Sequence, residues 1–134
     1  MIHDAGHPGV PNMQLLKEKD PLTETYKKSI AEQNSVHLCW DLLMQPTYAD
    51  LRSTIYADEA GFKRFRQLVV NSVMATDIMD KDLKNLRNNR WEKAFSEECA
   101  TSEDTHTTTN RKATIVIEHL IQASDVAHTM QHWQ

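Results

Sequence analysis

The segment Ile2-His3-Asp4-Ala5-Gly6-His7-Pro8-Gly9 holds the residues best suited to chemistry. A histidine followed directly by an aspartate offers one imidazole nitrogen and two carboxylate oxygens to the same point. That donor set suits a borderline metal such as zinc, and the spare carboxylate oxygen can reach a second metal. Two metals sharing a water are a common means of attacking phosphorus. The pair stands within four residues of the start of the sequence, so the rest of its site is expected to have been cut away.

Asp125 is the second signal. Counting back by fours gives Ile121 and Ile117, which places Asp125 on the expected buried stripe of a long helix. A buried carboxylate without a partner is costly, so it calls for a cation, a metal or a set of donors. Standing alone, Asp125 reads as a hydrogen-bonded structural residue; beside His3-Asp4, a metal would account for both. His128 and His132 follow on the same helical face. They form either a separate metal cluster with Asp125 or a simple complement to the helix dipole.

Glu32 has two readings. It completes a capping box begun by Ser29, or it orients a histidine or a metal-bound water. Thr76-Asp77 closes an amphipathic helix, where an Asp opposes the dipole unless it has a partner. Trp40, Trp91 and Trp133 are expected to pack rather than to stack on a ligand.

The elements that must position these residues are helical. Glycines number only three and prolines four, and β-branched alternation is nowhere sustained. Residues 1–11 are a loop ending in the turn chemistry of Pro8-Gly9-Val10-Pro11. Asn12 is expected to cap a short helix through Leu16, and Pro21 to break the chain. Ser29-Ile30-Ala31-Glu32 opens a helix toward Met44, with Val36, Cys39, Trp40 and Leu43 on its apolar face and Pro46 ending it. Asp58 caps the next helix, in which Phe62, Phe65, Val69 and Val73 recur. A further helix runs from Asp80 to Phe95 with Leu83, Leu86 and Trp91 inward. Residues 96–109 are polar and unpatterned and read as a mobile loop. A last helix covers about Asn110 to His132, with its apolar run from Ala113 to Ile121. The expectation is one all-α domain.

The chain of 134 residues carries 19 acidic and 15 basic side chains, for a net charge of −4. With no Lys/Arg run, this argues against a nucleic-acid partner and an anionic membrane surface. Membrane insertion is not expected of this segment, and the N-terminus is too polar for a signal peptide. Cys39 and Cys99 sit in no motif, which fits a reducing, cytoplasmic compartment; attachment of a parent protein to a membrane through other regions stays compatible with that. No phosphate-binding Gly-rich loop, Cys-x-x-Cys or Gly-x-Ser-x-Gly occurs.

Together these residues resemble the catalytic domain of the class I 3′,5′-cyclic nucleotide phosphodiesterases, an all-helical branch of the HD superfamily. His3-Asp4-Ala5-Gly6-His7-Pro8-Gly9-Val10-Pro11-Asn12 resembles the HDxxHPGxxN segment of that family. Ser29-Ile30-Ala31-Glu32-Gln33 is similar to its SxLE(N) helix start, Ala75-Thr76-Asp77-Ile78 to its ATDM step, and Ala123-Ser124-Asp125-Val126 to its ADxSNP segment. Order and spacing of all four agree.

The resemblance implies a phosphodiesterase-type helical bundle, incomplete at both ends and spanning residues 1–134. It implies hydrolysis of cAMP or cGMP to the 5′-monophosphate with two divalent metals, zinc and magnesium or manganese. His3, Asp4 and Asp125 would be zinc ligands, and Asp4 would also reach the second metal through a bridging hydroxide. His7, Glu32 and Thr76 would surround the second metal and its waters, while Asp4, Asp125 and His128 would face the substrate.

The departures from the family pattern are specific. The family has an upstream HNxxHxxD segment with the general-acid histidine and a fourth zinc ligand, and these 134 residues do not contain it. No catalytic acid is therefore assigned within the chain, and the chain alone is expected to be inactive. The family's purine-gripping glutamine and stacking phenylalanine are not matched either. Gly6 replaces the second Asp of the HDxDH form, and His128 stands where the family has Asn. The alternatives are another HD-superfamily phosphohydrolase and a helical interaction module that has lost its site.

Overall fold

A computed structural model describes residues 2–96 and 105–130. These are helical, with seven α-helices and no strand among the described residues. The chain divides after Asp77 into two compact bodies, residues 1–77 and 78–134.

In the first body a loop leads into α1 (Asn12–Glu18), α2 (Leu22–Thr25) and α3 (Ile30–Leu43). A 3-10 turn (Pro46–Tyr48), α4 (Ala49–Ile55) and α5 (Glu59–Met74) follow. α3 packs on α5, while α1 and α2 pack on α3. Leu15, Ile30, Ala31 and Val73 are fully buried among these helices. Val36, Cys39, Trp40 and Leu43, the expected apolar face of α3, are half-buried. Trp40 lies 5.8 Å from Phe62 and 6.0 Å from Phe65 between ring centroids, and Tyr56 adds an edge contact at 5.3 Å to Phe62. Helical spacing in α5 therefore does what the sequence pattern requires, presenting aromatic rings to Trp40.

The ends of α3 and α5 have identifiable causes. Asp58 caps α5, its Oδ1 accepting from the Gly61 N–H at 2.7 Å. Pro46 is at the first position of the 3-10 turn, and the Arg52 guanidinium donates to the carbonyls of Leu43 and Gln45 at 2.6 and 2.7 Å. The freed C-terminal carbonyl of α3 thus gains a charged donor.

The start of α3 corrects the expected capping box. Ser29 has φ 43° and ψ 51°, a left-handed conformation, and its hydroxyl makes no cap bond. A capping side chain works from extended backbone. Instead Asn12 Oδ1 accepts from the Ala31 N–H at 2.9 Å. Asn12 itself is the first residue of α1, not its cap, and α1 extends to Glu18. α2 and α4 were not expected; at four and seven residues they are too short to show a period.

The second body comprises α6 (Lys81–Phe95), α7 (Thr105–Val126) and a 3-10 turn (Ala127–Met130). Asp80 caps α6, accepting from the N–H groups of Asp82 and Leu83 at 2.9 and 3.0 Å. α6 and α7 pack together. Their register is set by an ion pair: Arg90 Nη1 and Nη2 meet the Glu118 carboxylate oxygens at 3.0 and 3.1 Å. Beside it Trp91 contacts His119 at 4.7 Å, and Lys112 lies over the Phe95 ring at 5.4 Å.

Three sequence expectations change here. Leu86 and Trp91 are 55% and 39% exposed, while Arg87 and Ala94 are the buried residues of α6. Side-chain size favours Leu86 and Trp91 as inward residues, but the buried positions of α6 are a charged Arg and a short Ala. Ile117 is likewise exposed, and the buried stripe of α7 runs through Thr114, Ile115 and Glu118. α7 also begins at Thr105, so 105–109 leave the expected loop; it ends at Val126 in a 3-10 turn, short of His132. Cys99, His132 and Trp133 lie outside the described residues.

Glu118 is 2% exposed and Arg90 33%. Removing either partner is therefore unequal. Arg90→Ala strands a buried carboxylate and is expected to cost about 3 kcal/mol, whereas Glu118→Gln leaves an Arg that still reaches water and costs clearly less. Urea unfolding of the two variants checks this order; equal losses would contradict it.

Candidate functional site

The His3-Asp4 pair sits on two consecutive tight turns. The Ala5 N–H donates to the Ile2 carbonyl and the His7 N–H to the Asp4 carbonyl, each at 3.0 Å. His3 Nε2 and Asp4 Oδ2 are 3.2 Å apart, with His3 17% and Asp4 68% exposed. Two ligands at tetrahedral angles around zinc, with bonds near 2.0–2.1 Å, would be separated by about 3.3 Å. The observed separation is close to that value and is equally that of an N–H···O bond between the two side chains; the donor types fit the metal. Among the described residues no group of three or more His, Cys, Asp or Glu side chains is gathered to hold a metal.

His7 faces solvent, and its Nδ1 accepts from the Gly9 N–H at 3.0 Å. A nitrogen that accepts carries no proton, so neutral His7 holds its proton on Nε2 and points a donor outward. Glu32, in the first turn of α3, accepts from Asn12 Nδ2 at 2.9 Å through Oε2. Thr76 is buried beyond the end of α5, and its hydroxyl donates to the Val73 carbonyl at 2.7 Å, which leaves its lone pairs to accept. Asp77 beside it is also buried and is engaged, as its place at a helix end requires.

Asp125 and His128 belong to the second body. Asp125 is half-buried, seven residues beyond Glu118 and ten beyond Ile115 on α7, so it continues that stripe rather than one through Ile117. His128 is exposed in the terminal 3-10 turn, with Nδ1 3.0 Å from the Asp125 carbonyl oxygen. A carbonyl only accepts, so Nδ1 carries the proton. This is the contact of a histidine completing a helix C-terminus; His132 lies outside the described residues.

The profile of the 3'5'-cyclic nucleotide phosphodiesterase family matches residues 1–134. The chain belongs to that family. It is 35% identical over 79 residues to the human cGMP-inhibited 3',5'-cyclic phosphodiesterase 3A, and 34% identical over 79 to the rat protein. It is 33% identical over 78 residues to the probable 3',5'-cyclic phosphodiesterase pde-3 of Caenorhabditis elegans. Each similarity covers 58% of this chain, but only 7% of the human and rat proteins and 11% of the nematode one.

Within this family segment, three residues around the His-Asp turn carry structural roles that the sequence reading did not assign. Ser35 is fully buried, and its hydroxyl lies 2.8 Å from the Ala5 carbonyl and 2.9 Å from the Ala31 carbonyl. Asn12 holds both Ala31 and Glu32. Leu38 packs where a side chain at position 6 would be: an added Cβ on Gly6 would lie 2.5 Å from Leu38 Cδ1. Asn at the start of a short helix after a Pro-Gly turn was the available signal for the second; nothing local marks the others.

Gly6 has φ +68°, and Gly9 has φ +79° with nothing within 4 Å of its Cβ position. Gly9→Ala is expected to cost about 1 kcal/mol for the left-handed backbone alone. Gly6→Ala adds the clash and should cost about 2 kcal/mol. In the Leu38→Ala background the two substitutions should become similar. Denaturant titration of the variants reads this directly, and a Gly6→Ala penalty untouched by Leu38→Ala would remove the steric account.

Proposed function

We propose that the protein to which this segment belongs hydrolyses 3′,5′-cyclic nucleotides to 5′-monophosphates, using a pair of divalent metals. The observation that carries this is the His3 Nε2 to Asp4 Oδ2 spacing of 3.2 Å, within a chain matched over 1–134 by the family profile. His3, Asp4 and Asp125 would hold zinc, and the second Asp4 oxygen would reach magnesium or manganese. When bound, such ions polarise the phosphate and lower the pKa of water.

The chain's own residues then divide the remaining work. His7, through its Nε2 proton, and Glu32 and Thr76, through oxygens that can accept, would fix water around the second metal. Asp4, Asp125 and His128 would face the substrate phosphate. A cytoplasmic place fits this chemistry, since Cys39 is a free thiol and no helix among the described residues is long and apolar enough to cross a membrane.

In the full-length protein, His3→Ala and Asp4→Ala are each expected to lower kcat for cAMP and cGMP by about a thousandfold or more, an amount typical of losing an electrostatic anchor of the transition state. The 134-residue chain alone is expected to give no turnover, because the HNxxHxxD segment with the general acid is not among its residues. Assay with both cyclic nucleotides, with and without a chelator, tests the reading. Activity that survives Asp4→Ala or chelation would refute it, and preference for a non-cyclic phosphoester would favour another HD-superfamily phosphohydrolase.

A further inference from the structure

We infer that Asn12 is a positioning residue for the His3-Asp4 turn, acting as a two-way amide bracket between that loop and the first turn of α3. The inference rests on the proposed metal role of His3 and Asp4, but the bracket itself can be tested without it.

The helix start leaves the position open. Ser29 is left-handed, caps nothing, and its buried hydroxyl has no hydrogen-bond partner. The N–H of Ala31, buried in the first turn, must be satisfied from elsewhere. Asn12 supplies the acceptor from 19 residues upstream, at 2.9 Å. The same amide donates to Glu32 Oε2, also at 2.9 Å. The site asks for an acceptor and a donor on one short side chain. Asn provides both; Asp would set a second carboxylate against Glu32, and Ala would leave both partners unmet.

Residues 5–11 join the His-Asp turn to the bracket, and the backbone bonds Ala5 to Ile2 and His7 to Asp4 within the loop are local turns. A second tie from loop to helix is the Ser35 hydroxyl, whose single proton is shared between the Ala5 and Ala31 carbonyls. Two side chains thus fasten the loop to one face of α3, and Asn12 is the one that also fixes Glu32. Its role in the reaction would be exerted through the place of His3, Asp4 and Glu32, not through contact with substrate.

The test exchanges donor and acceptor. In the 134-residue chain, Asn12→Asp should lower hydrogen-exchange protection of the Ala31 amide about tenfold. Protection of the Ala5 and His7 amides should fall with it, while that of Val73 in α5 stays. Asn12→Asp combined with Glu32→Gln reverses the polarity of the bond and should restore protection. Zinc affinity, read by competition with a chelating dye, should fall about tenfold or more in Asn12→Asp and recover in the double variant.

Uniform loss of protection across α3 and α5, or no rescue by the exchange, would overturn the bracket. So would zinc affinity that responds to His3→Ala but not to Asn12→Asp. If zinc binding is undetectable or indifferent to His3→Ala, the metal reading fails, and the exchange data alone decide the bracket. Should Asn12→Asp not fold, the double variant alone decides: native far-UV circular dichroism and Ala31 protection support the bracket, and their absence overturns it.

Discussion

One side-chain amide determines how the first body is assembled. A helix start needs its free N–H groups satisfied, and the residue placed to do so, Ser29, enters from left-handed backbone with its hydroxyl unused. Asn12 makes good that deficit from a distant part of the chain. The first turn of α3 therefore gains this hydrogen bond only when α1 is docked against it. Local helix formation and long-range docking become one event, and α3 is the helix on which α1, α2 and α5 all pack. The amide stands eight residues after Asp4, so the start of α3 is tied to the stretch of chain that follows the His-Asp turn.

The second body meets its polar requirement in another way. Glu118 lies in the buried stripe of α7 beside Ile115, where a hydrophobic residue would give as much stability with less desolvation. What the bidentate pair with Arg90 adds is register. α6 has few large inward residues, so sliding by one turn would lose little apolar contact, but it would strand Glu118. A charge that tolerates one partner in one geometry fixes the helix pair more sharply than Ala94 and Leu83 can. That matters for Asp125, which continues the stripe of Ile115 and Glu118 and whose position along α7 is therefore set by the same pair.

What was legible in the sequence was what depends on near neighbours. Asp58 and Asp80 cap the helices expected of them, because an N-cap is a matter of two or three residues. The aromatic spacing of α5 and the contact of His3 with Asp4 are equally local. The failures share a cause as well. Ser29-x-x-Glu32 has the letters of a capping box, yet its backbone conformation and the bond from Asn12 are settled by tertiary structure. Leu86 is exposed despite its size, while Arg87 and Ala94 are buried and Arg90 reaches Glu118, 28 residues away. α2 and α4 are shorter than the window in which a helical period can be counted.

The two histidines of the opening loop show how far backbone geometry can divide identical side chains. His3 is largely buried and brings Nε2 to the carboxylate of Asp4. His7, four residues on, spends its Nδ1 lone pair on the Gly9 N–H, where the backbone of Gly9 continues at φ +79°. Neutral His7 then presents Nε2–H, a donor, where a metal requires a lone pair. For His7 to become a ligand through Nε2, its proton must move to Nδ1 and the Gly9 bond must break. The turn therefore leaves the two imidazoles in different settings, His3 against a carboxylate and His7 against a backbone N–H. A loop of this kind selects roles by hydrogen bonding to its own backbone. That is why the glycines that shape it belong to the site as much as the residues that would touch a metal.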